Sequence, residues 1–279
     1  MRNADFDAFS SAIRGADHEV DLYGAAMTIA RIGGHDVDPN AAAARLDAFA
    51  EAARDRAGEG ASPDALANAI EHELFTIQGF HGNTAGYANP ENSYLDRVIE
   101  TRAGIPITLS LVYMEVAQRV GLECDGIGYP GHFIVRYGGP GHPVYVDPFQ
   151  QGARIDRAEL LARLRTLKLG ATNPETFLAG VTRRQILQRM LNNLHVIFRG
   201  RRDLERWHAT IELQLRLEPW NAALVGERGM LHYRLGRIEE AFRDLEAYVS
   251  STDHIQTSAG AIRLLDQLRL RYGGTGEPR

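Results

Sequence analysis

The chain has 279 residues, 44% of them hydrophobic and 24% charged, which is the composition of an ordinary globular protein. Its formal net charge of -5 argues against wrapping nucleic acid, so we expect no nucleic-acid partner. The N-terminal residues lack the apolar stretch of a signal peptide, and no run approaches the roughly 18 apolar residues of a membrane span. We therefore expect a cytoplasmic protein with no membrane partner. The single cysteine, Cys124, excludes an internal disulfide.

The first 80 residues predict helices. Asp38-Pro39 and Ser62-Pro63 each place a capping residue before a proline at the first helical position. Residues 79–90 form a predicted loop rich in Gly and Asn, and residues 92–100 form a predicted short helix. The helix that starts at Ser62-Pro63 carries four apolar residues on one face: Leu66, Ile70, Leu74 and Ile77.

The middle of the chain predicts a helix followed by a small antiparallel sheet. Apolar residues at spacings of three and four indicate a helix over 107–120, and Gly121 ends it. Residues 123–127 form a short candidate strand, and 133–137 and 144–146 form better ones because they are rich in β-branched and aromatic residues. The glycine-rich segment between the last two strands indicates a hairpin.

His132 and Asp147 lie at the open end of this predicted hairpin. If the turn centres near Pro140, the residue opposite His132 is about 148, so Asp147 lies near enough for a side-chain contact. A carboxylate in that place holds the tautomer and orientation of an imidazole, as the third member of a catalytic triad does. The sequence therefore predicts a contact between His132 and Asp147.

The last hundred residues contain a helical repeat. A shift of about 34 residues aligns Leu191 with Val225, which is the tetratricopeptide period. In the second repeat, Gly229 and Ala241 occupy positions where paired helices approach closely. The first repeat is degenerate, with Trp207 in place of the small residue.

Several phrases of the sequence occur together and in order in one protein family. They resemble the transglutaminase-like core of bacterial proteins that carry C-terminal tetratricopeptide repeats, the Sir-B-type or invasion-gene up-regulator family. The core is also similar to one in some eukaryotic F-box-only proteins. The matching phrases are Gly79–Asn83, Asn89–Leu95, Arg102–Ser110, Pro130–Arg136 and Val146–Phe149.

The resemblance implies an α+β fold in two parts. We expect N-terminal helices and a transglutaminase-like (papain-like) core with a small antiparallel sheet over residues 1–180. A module of tetratricopeptide-type helices is expected over 181–279. The resemblance also implies that Asn83, Asn92 and Tyr94 border the cleft of the core.

Active transglutaminase-like enzymes place a cysteine at the start of the buried helix, but the corresponding position here is Pro106. Thiol chemistry is therefore excluded at that position. Thr108 and Ser110 follow within the next turn and a half. One interpretation is that His132 activates one of these hydroxyls as a nucleophile. The other interpretation is that these hydroxyls form hydrogen bonds with the backbone of their own helix. Cys124 lies on a predicted strand, where a buried, inert thiol is expected.

Two classes of function remain open. The first is a non-catalytic interaction or regulatory protein whose helical repeats bind a protein or peptide partner. The second is a hydrolase or acyltransferase that acts on an amide or peptide bond through His132 and Asp147. No cofactor is expected, because Pro130 prevents the helix that the glycine pattern of 126–131 would need for a dinucleotide. No metal site is expected, because His142 lies in the predicted turn.

Overall fold

The computed structural model describes residues 1–139, 141–167, 173–251 and 258–272. The chain divides into two compact units, residues 1–193 and 194–279. The first unit combines helices with a small sheet and the second is helical, which confirms the predicted α+β class. Among the described residues, no helix combines the length and apolar character that crossing a membrane requires. The predicted domain division at residues 180 and 181 stays a prediction.

The predicted capping residues begin two of the four N-terminal helices. The Asp38 side chain accepts hydrogen bonds from the backbone N–H groups of residues 40 and 41, each at 3.0 Å. The Ser62 hydroxyl accepts from the N–H of residue 65 at 3.3 Å. Both prolines stand in the first turn, where no N–H donor is lost. The four helices are α1 Asn3–Ala12, α2 Leu22–Ala30, α3 Pro39–Ala57 and α4 Pro63–Glu71.

A π-helical segment follows α4 and changes which residues face the core. It spans His72–Ile77, and the N–H of Gln78 donates to the carbonyl of Glu73, five residues earlier, at 2.9 Å. Ile70 and Leu74 are buried, but Ile77 is 56% exposed. The prediction that Ile77 shares their face is therefore wrong, because wider winding moves each later residue out of the 3.6-residue phase.

A two-residue parallel pairing, which the sequence analysis did not predict, closes the loop before the buried helix. Strands β1 His81–Gly82 and β2 Ala103–Gly104 pair side by side. Helix α5, Leu95–Thr101, lies between them in sequence and starts later than predicted. A short 3-10 helix over Pro90–Ser93 occupies the start of the predicted element.

The buried helix α6 spans Pro106–Val120 and ends at Gly121, as predicted. It is buried on more than the one predicted face, since polar Thr108 and Ser110 are also fully covered. A helix enclosed this way serves as the support against which neighbouring elements pack. Its first turn therefore presents little side-chain surface to solvent.

Four antiparallel strands form the main sheet, in the order in which they occur in the chain. Val135 pairs with Val146, a register that would set position 149 rather than 148 opposite His132 if it continued. The proposed turn centre, Pro140, lies outside the described residues. The fourth strand was not predicted, because three residues carry too little alternation to signal a strand. The strands are β3 Cys124–Ile127, β4 Ile134–Tyr137, β5 Val144–Asp147 and β6 Ala153–Ile155.

Helix α7, Arg157–Thr166, packs its leucines against the sheet. Leu160, Leu161 and Leu164 are buried in one cluster with Ile134 and Tyr145 of the strands. Three buried leucines at spacings of one and three cover one side of the hairpin. The sheet residues that carry the candidate site therefore sit on a packed support.

The described residues at the end of the chain form five helices, and α8 begins in the first unit and ends in the second. Gly229 lies against the next helix: a Cβ there would stand 3.0 Å from both Asp244 Cβ and Leu245 Cγ. Ala241 is fully buried, so both predicted close-approach positions are confirmed. Thr257, the predicted start of the last helix, lies outside the described residues. The helices are α8 Arg183–Arg201, α9 Leu204–Leu217, α10 Ala222–Arg234, α11 Ile238–Ser251 and α12 Ala259–Tyr272.

Candidate functional site

The predicted contact between His132 and Asp147 is present. His132 Nε2 lies 2.7 Å from Asp147 Oδ2. His132 stands in a turn just before β4, where its N–H donates to the carbonyl of Tyr129 at 3.0 Å. Asp147 is the last residue of β5. Two neighbouring antiparallel strands thus bring residues fifteen positions apart into one pair.

Asp147 is held in place by more than the histidine. Its second oxygen, Oδ1, accepts from the N–H of Phe149 at 3.0 Å and of Gln150 at 3.3 Å. These bonds cap the 3-10 helix over Pro148–Gln150 that follows β5. Asp147 is only 3% exposed, so the carboxylate has little freedom to turn. The cap therefore aims Oδ2 at the imidazole.

Two residues that the sequence analysis did not identify support His132. The Phe149 ring stands edge-to-face with the imidazole, with centroids 5.9 Å apart. Arg189 Nη2 donates to the carbonyl of His132 at 2.9 Å, and its guanidinium lies 5.4 Å from the Phe133 ring centre. Burial lowers the pKa of Arg189. Arg189 comes from α8, far along the chain, so no local pattern could have indicated it.

The hydrogen bond to Asp147 determines which imidazole nitrogen carries the proton. A carboxylate accepts, so in the neutral ring Nε2 bears the hydrogen and Nδ1 keeps its lone pair. Within the described part of the chain, no group bonds Nδ1. The His132 side chain is 26% exposed. Nδ1 can therefore accept a proton from water or from a bound molecule.

The start of α6 carries hydroxyls that bond the backbone. Pro106 is the first residue of the helix. The Thr108 hydroxyl lies 2.7 Å from the Asn92 carbonyl and 3.1 Å from the Ile105 carbonyl, and it accepts from the Ile105 N–H at 3.2 Å. Ser110 Oγ donates to the carbonyl of Phe133 at 3.4 Å. Thr108 has a single hydroxyl proton, so it donates to one of its two carbonyl neighbours at a time. Both hydroxyls are fully buried, and their hydrogen bonds join the start of the helix to neighbouring segments.

Cys124 lies at the far end of the β3–β4 pair from His132. It pairs with Tyr137, whereas Ile134 marks the end of the pair nearest the histidine. At about 3.3 Å per residue, those three steps span about 10 Å. Burial raises the pKa of the Cys124 thiol to about 12, with a further contribution from Asp125. The thiol is protonated at neutral pH and stands away from the imidazole, although the residue is half-buried where a buried one was expected.

Of the three residues expected to border the cleft, Asn83 and Asn92 hold the loop over 83–92 and Tyr94 packs against His35. Asn83 Nδ2 donates to Asn92 Oδ1 at 3.0 Å, and Asn92 Nδ2 donates to the carbonyl of Gly86 at 2.8 Å. Asn92 is 3% exposed and Tyr94 is 2% exposed, with the Tyr94 ring centre 5.7 Å from that of His35. Their direct role in binding stays a prediction, and the structure gives them a supporting position.

An exposed aromatic residue of the same loop extends the site. Tyr87 is 51% exposed, and its ring stands edge-to-face with Phe149, centroids 6.2 Å apart. Gly82 allows this arrangement, because a Cβ there would come within 2.6 Å of the Phe149 ring. Tyr87 and Phe149 thus continue the surface beside His132. The usable sequence signal was an aromatic residue inside a loop rich in Gly and Asn.

A separate groove of about 1620 Å³ runs over the first unit and does not include His132 or Asp147. Glu115 and Arg119 form part of its wall and pair at 2.7 Å. Burial raises the pKa of Glu115. The groove carries charges of both signs, and the His132–Asp147 pair lies elsewhere, at the hairpin.

The enclosed helix, the antiparallel hairpin with its His-Asp pair and the helical repeats define a class of protein: a transglutaminase-like core joined to tetratricopeptide repeats. Comparison with known families agrees. The family model described as transglutaminase-like superfamily matches residues 40–192. The model described as tetratricopeptide repeat matches residues 194–267. The chain therefore belongs to the transglutaminase-like superfamily and carries tetratricopeptide repeats after its core.

Relatives occur in bacteria and animals. The chain is 31% identical to the UPF0162 protein of Xylella fastidiosa strain Temecula1 over 262 residues, which cover 91% of this chain and 93% of that protein. It is 33% identical to a UPF0162 protein of Pseudomonas aeruginosa over 143 residues, 48% of this chain and 51% of the relative. It is 26% identical to human F-box only protein 21 over 223 residues, 74% of this chain but 34% of the human protein.

Proposed function

We propose that this protein is a non-catalytic, cytoplasmic interaction or regulatory protein whose repeats bind a protein or peptide partner. The observation that carries the proposal is the combination of a transglutaminase-like core with tetratricopeptide repeats. Stacked helical hairpins provide an extended surface that suits a polypeptide partner. The core serves as a scaffold in this proposal.

The lack of a suitable nucleophile supports the non-catalytic part of the proposal. The one cysteine of the sequence is Cys124, whose pKa burial raises to about 12. The helix start holds Pro106, and the Thr108 hydroxyl bonds the carbonyl of Asn92. A nucleophile needs a base within hydrogen-bond reach. None of these three residues meets that requirement toward His132 in the contacts described.

Partner capture followed by direct binding tests the proposal. The full chain should capture a protein partner from extract of the organism that encodes it, and the purified pair should then bind directly. Ala241→Leu should weaken the measured affinity at least tenfold, because Ala241 is fully buried between repeat helices. Ala247→Leu, the same change at an exposed position of α11, is the matched control and should not. Equal affinity for all three chains would contradict recognition by the repeats.

A second candidate rests on the His132 and Asp147 geometry. We propose as the alternative a hydrolase or acyltransferase acting on an amide or peptide bond, with His132 Nδ1 as general base toward water or an acceptor. The 2.7 Å contact with Asp147 and the lone pair on Nδ1 favour it. Tyr87 and Phe149 offer an aromatic surface for a substrate beside the imidazole.

The alternative predicts turnover that depends on His132. Incubation of the full chain with a peptide mixture, with and without a primary amine, should yield hydrolysed or amidated products detectable by mass spectrometry. His132→Ala should remove that product, while its circular dichroism spectrum stays that of a folded protein and its partner binding persists. Product formed equally by wild type and His132→Ala would exclude catalysis by this residue.

A further inference from the structure

Three side chains of the second unit converge in a way that neither function uses. His208 and Glu212 lie one turn apart on α9, and His232 reaches them from α10. One ligand atom from each residue lies within 4.8 Å of the others. No local sequence pattern predicts this group, because the third member belongs to another helix.

The distances within the group suit one small cation. The Nε2 atoms of His208 and His232 are 2.7 Å apart, and His208 Nε2 is 3.8 Å from Glu212 Oε1. An ion placed at the usual zinc distance of about 2.0–2.1 Å from both nitrogens makes a nitrogen–ion–nitrogen angle of about 80°. Opening that angle to the tetrahedral value moves the nitrogens apart by only about 0.6 Å, and Oε1 must approach His208 Nε2 by about 0.5 Å from its distance of 3.8 Å.

Charged groups surround the candidate ligands. His232 Nδ1 lies 3.1 Å from Asp244 Oδ2, and Arg228 holds that carboxylate with two bonds of 2.8 Å. A proton on His232 Nδ1 faces this carboxylate and leaves the Nε2 lone pair toward His208. Arg216 holds Glu212 Oε2 at 2.9 Å, and an ion on Oε1 would replace the contact that Arg228 makes there at 2.9 Å.

We propose that His208, Glu212 and His232 bind a divalent transition-metal ion of the zinc class. Two imidazoles and one carboxylate are ligands that zinc, nickel, cobalt and copper accept and that calcium and magnesium do not select. The three residues supply three positions, and water takes the fourth. The side chains are between 8% and 18% exposed, so an ion can enter without the helices separating. The bound ion joins α9 to α10 and stabilises the repeat unit.

A shared proton is the alternative explanation of the close nitrogens. His208 Nε2–H would donate to His232 Nε2, and the cluster would then need no ion. The arginines favour this state, because Arg216 and Arg228 already compensate the charges of Glu212 and Asp244. The two explanations differ in one measurable respect, which is the binding of added metal.

Metal titration of the full chain, free of any histidine tag and first treated with a chelator, tests the proposal. ZnCl₂ should bind with one ion per chain by equilibrium dialysis, and CoCl₂ should produce visible absorption bands. His208→Gln and His232→Gln should each weaken zinc binding at least tenfold. His195→Gln is the matched control: His195 lies in the same unit but bonds Gln214 and Glu227, so zinc affinity should not change.

Wild-type melting provides a second readout that does not depend on how the variants fold. Saturating ZnCl₂ should raise the melting temperature of the wild type, and chelator should reverse the rise. No zinc bound per chain, or no melting shift, would leave the shared proton as the explanation and overturn the proposal. Equal zinc binding by wild type and the two histidine variants would place the ion elsewhere and overturn it as well.

Discussion

Replacing Asp147 separates its support of the fold from any part it plays in chemistry. Asp147→Ala removes one hydrogen bond to His132 and two to the N–H groups of Phe149 and Gln150. The site is 3% exposed, so water does not readily replace these bonds. Asp147→Asn is the matched control, because its side-chain oxygen still caps the 3-10 helix and its amide can donate to the other tautomer of His132.

The size of the effect follows from these contacts. A lost cap costs about 1 kcal/mol, and a lost hydrogen bond involving a charged group costs about 1.5–3 kcal/mol. We therefore expect Asp147→Ala to lower the free energy of unfolding by about 2–4 kcal/mol and Asp147→Asn by about 1 kcal/mol. For a unit of this size, the alanine variant should melt about 5–15 °C lower than the wild type.

The measurement must report on the first unit. Both tryptophans, Trp207 and Trp220, lie in the second unit, so fluorescence follows that unit. Hydrogen exchange of peptides covering residues 132–150 reports on the site itself, and urea unfolding followed by circular dichroism gives the free energy of unfolding. Faster exchange should appear in this segment of Asp147→Ala. A free energy within about 0.5 kcal/mol of the wild type would refute the reasoning.

Three further predictions concern the repeats, the thiol and pH. Ala241→Leu should cost the second unit about 1–3 kcal/mol by overpacking, seen as an earlier tryptophan fluorescence transition, whereas Ala247→Leu should change little. Burial raises the pKa of Cys124 to about 12, so a disulfide reagent at pH 8 should label native protein at least ~100-fold more slowly than unfolded protein, and rapid labelling would contradict this. Burial opposes protonation of His195, but its hydrogen bonds with Glu227 and the neighbouring glutamine raise its pKa overall. The protonated form therefore contributes stability below about pH 6.5, and that contribution is lost as pH rises through the higher folded pKa. The stability difference between wild type and His195→Gln should shrink from pH 6 to pH 8, and a difference that grows would show the sign to be wrong.

Much of the fold was predictable because its signals are local. A proline fits the first turn of a helix, where its missing N–H costs nothing, so Asp38 and Ser62 mark helix starts directly. The hairpin strands that carry His132 and Asp147 follow from β-branched residues flanking a glycine-rich segment. Gly229 signals a close helix approach because only a missing side chain allows it. These features depend on a few neighbouring residues and on short-range sterics.

The rest depended on residues that are distant in the sequence. The π-helical turn exposed Ile77, because packing changed the helical phase that periodicity assumes. Arg189 holds the backbone of His132 from a helix some sixty positions later, and Tyr87 meets Phe149 through a loop closed by a two-residue strand pair. Composition and spacing by themselves determined the helical start, the sheet hairpin, the His-Asp pair and the repeat period. Only the tertiary structure decided what surrounds that pair, because hydrogen bonds and ring contacts between distant segments leave no periodic trace in the chain.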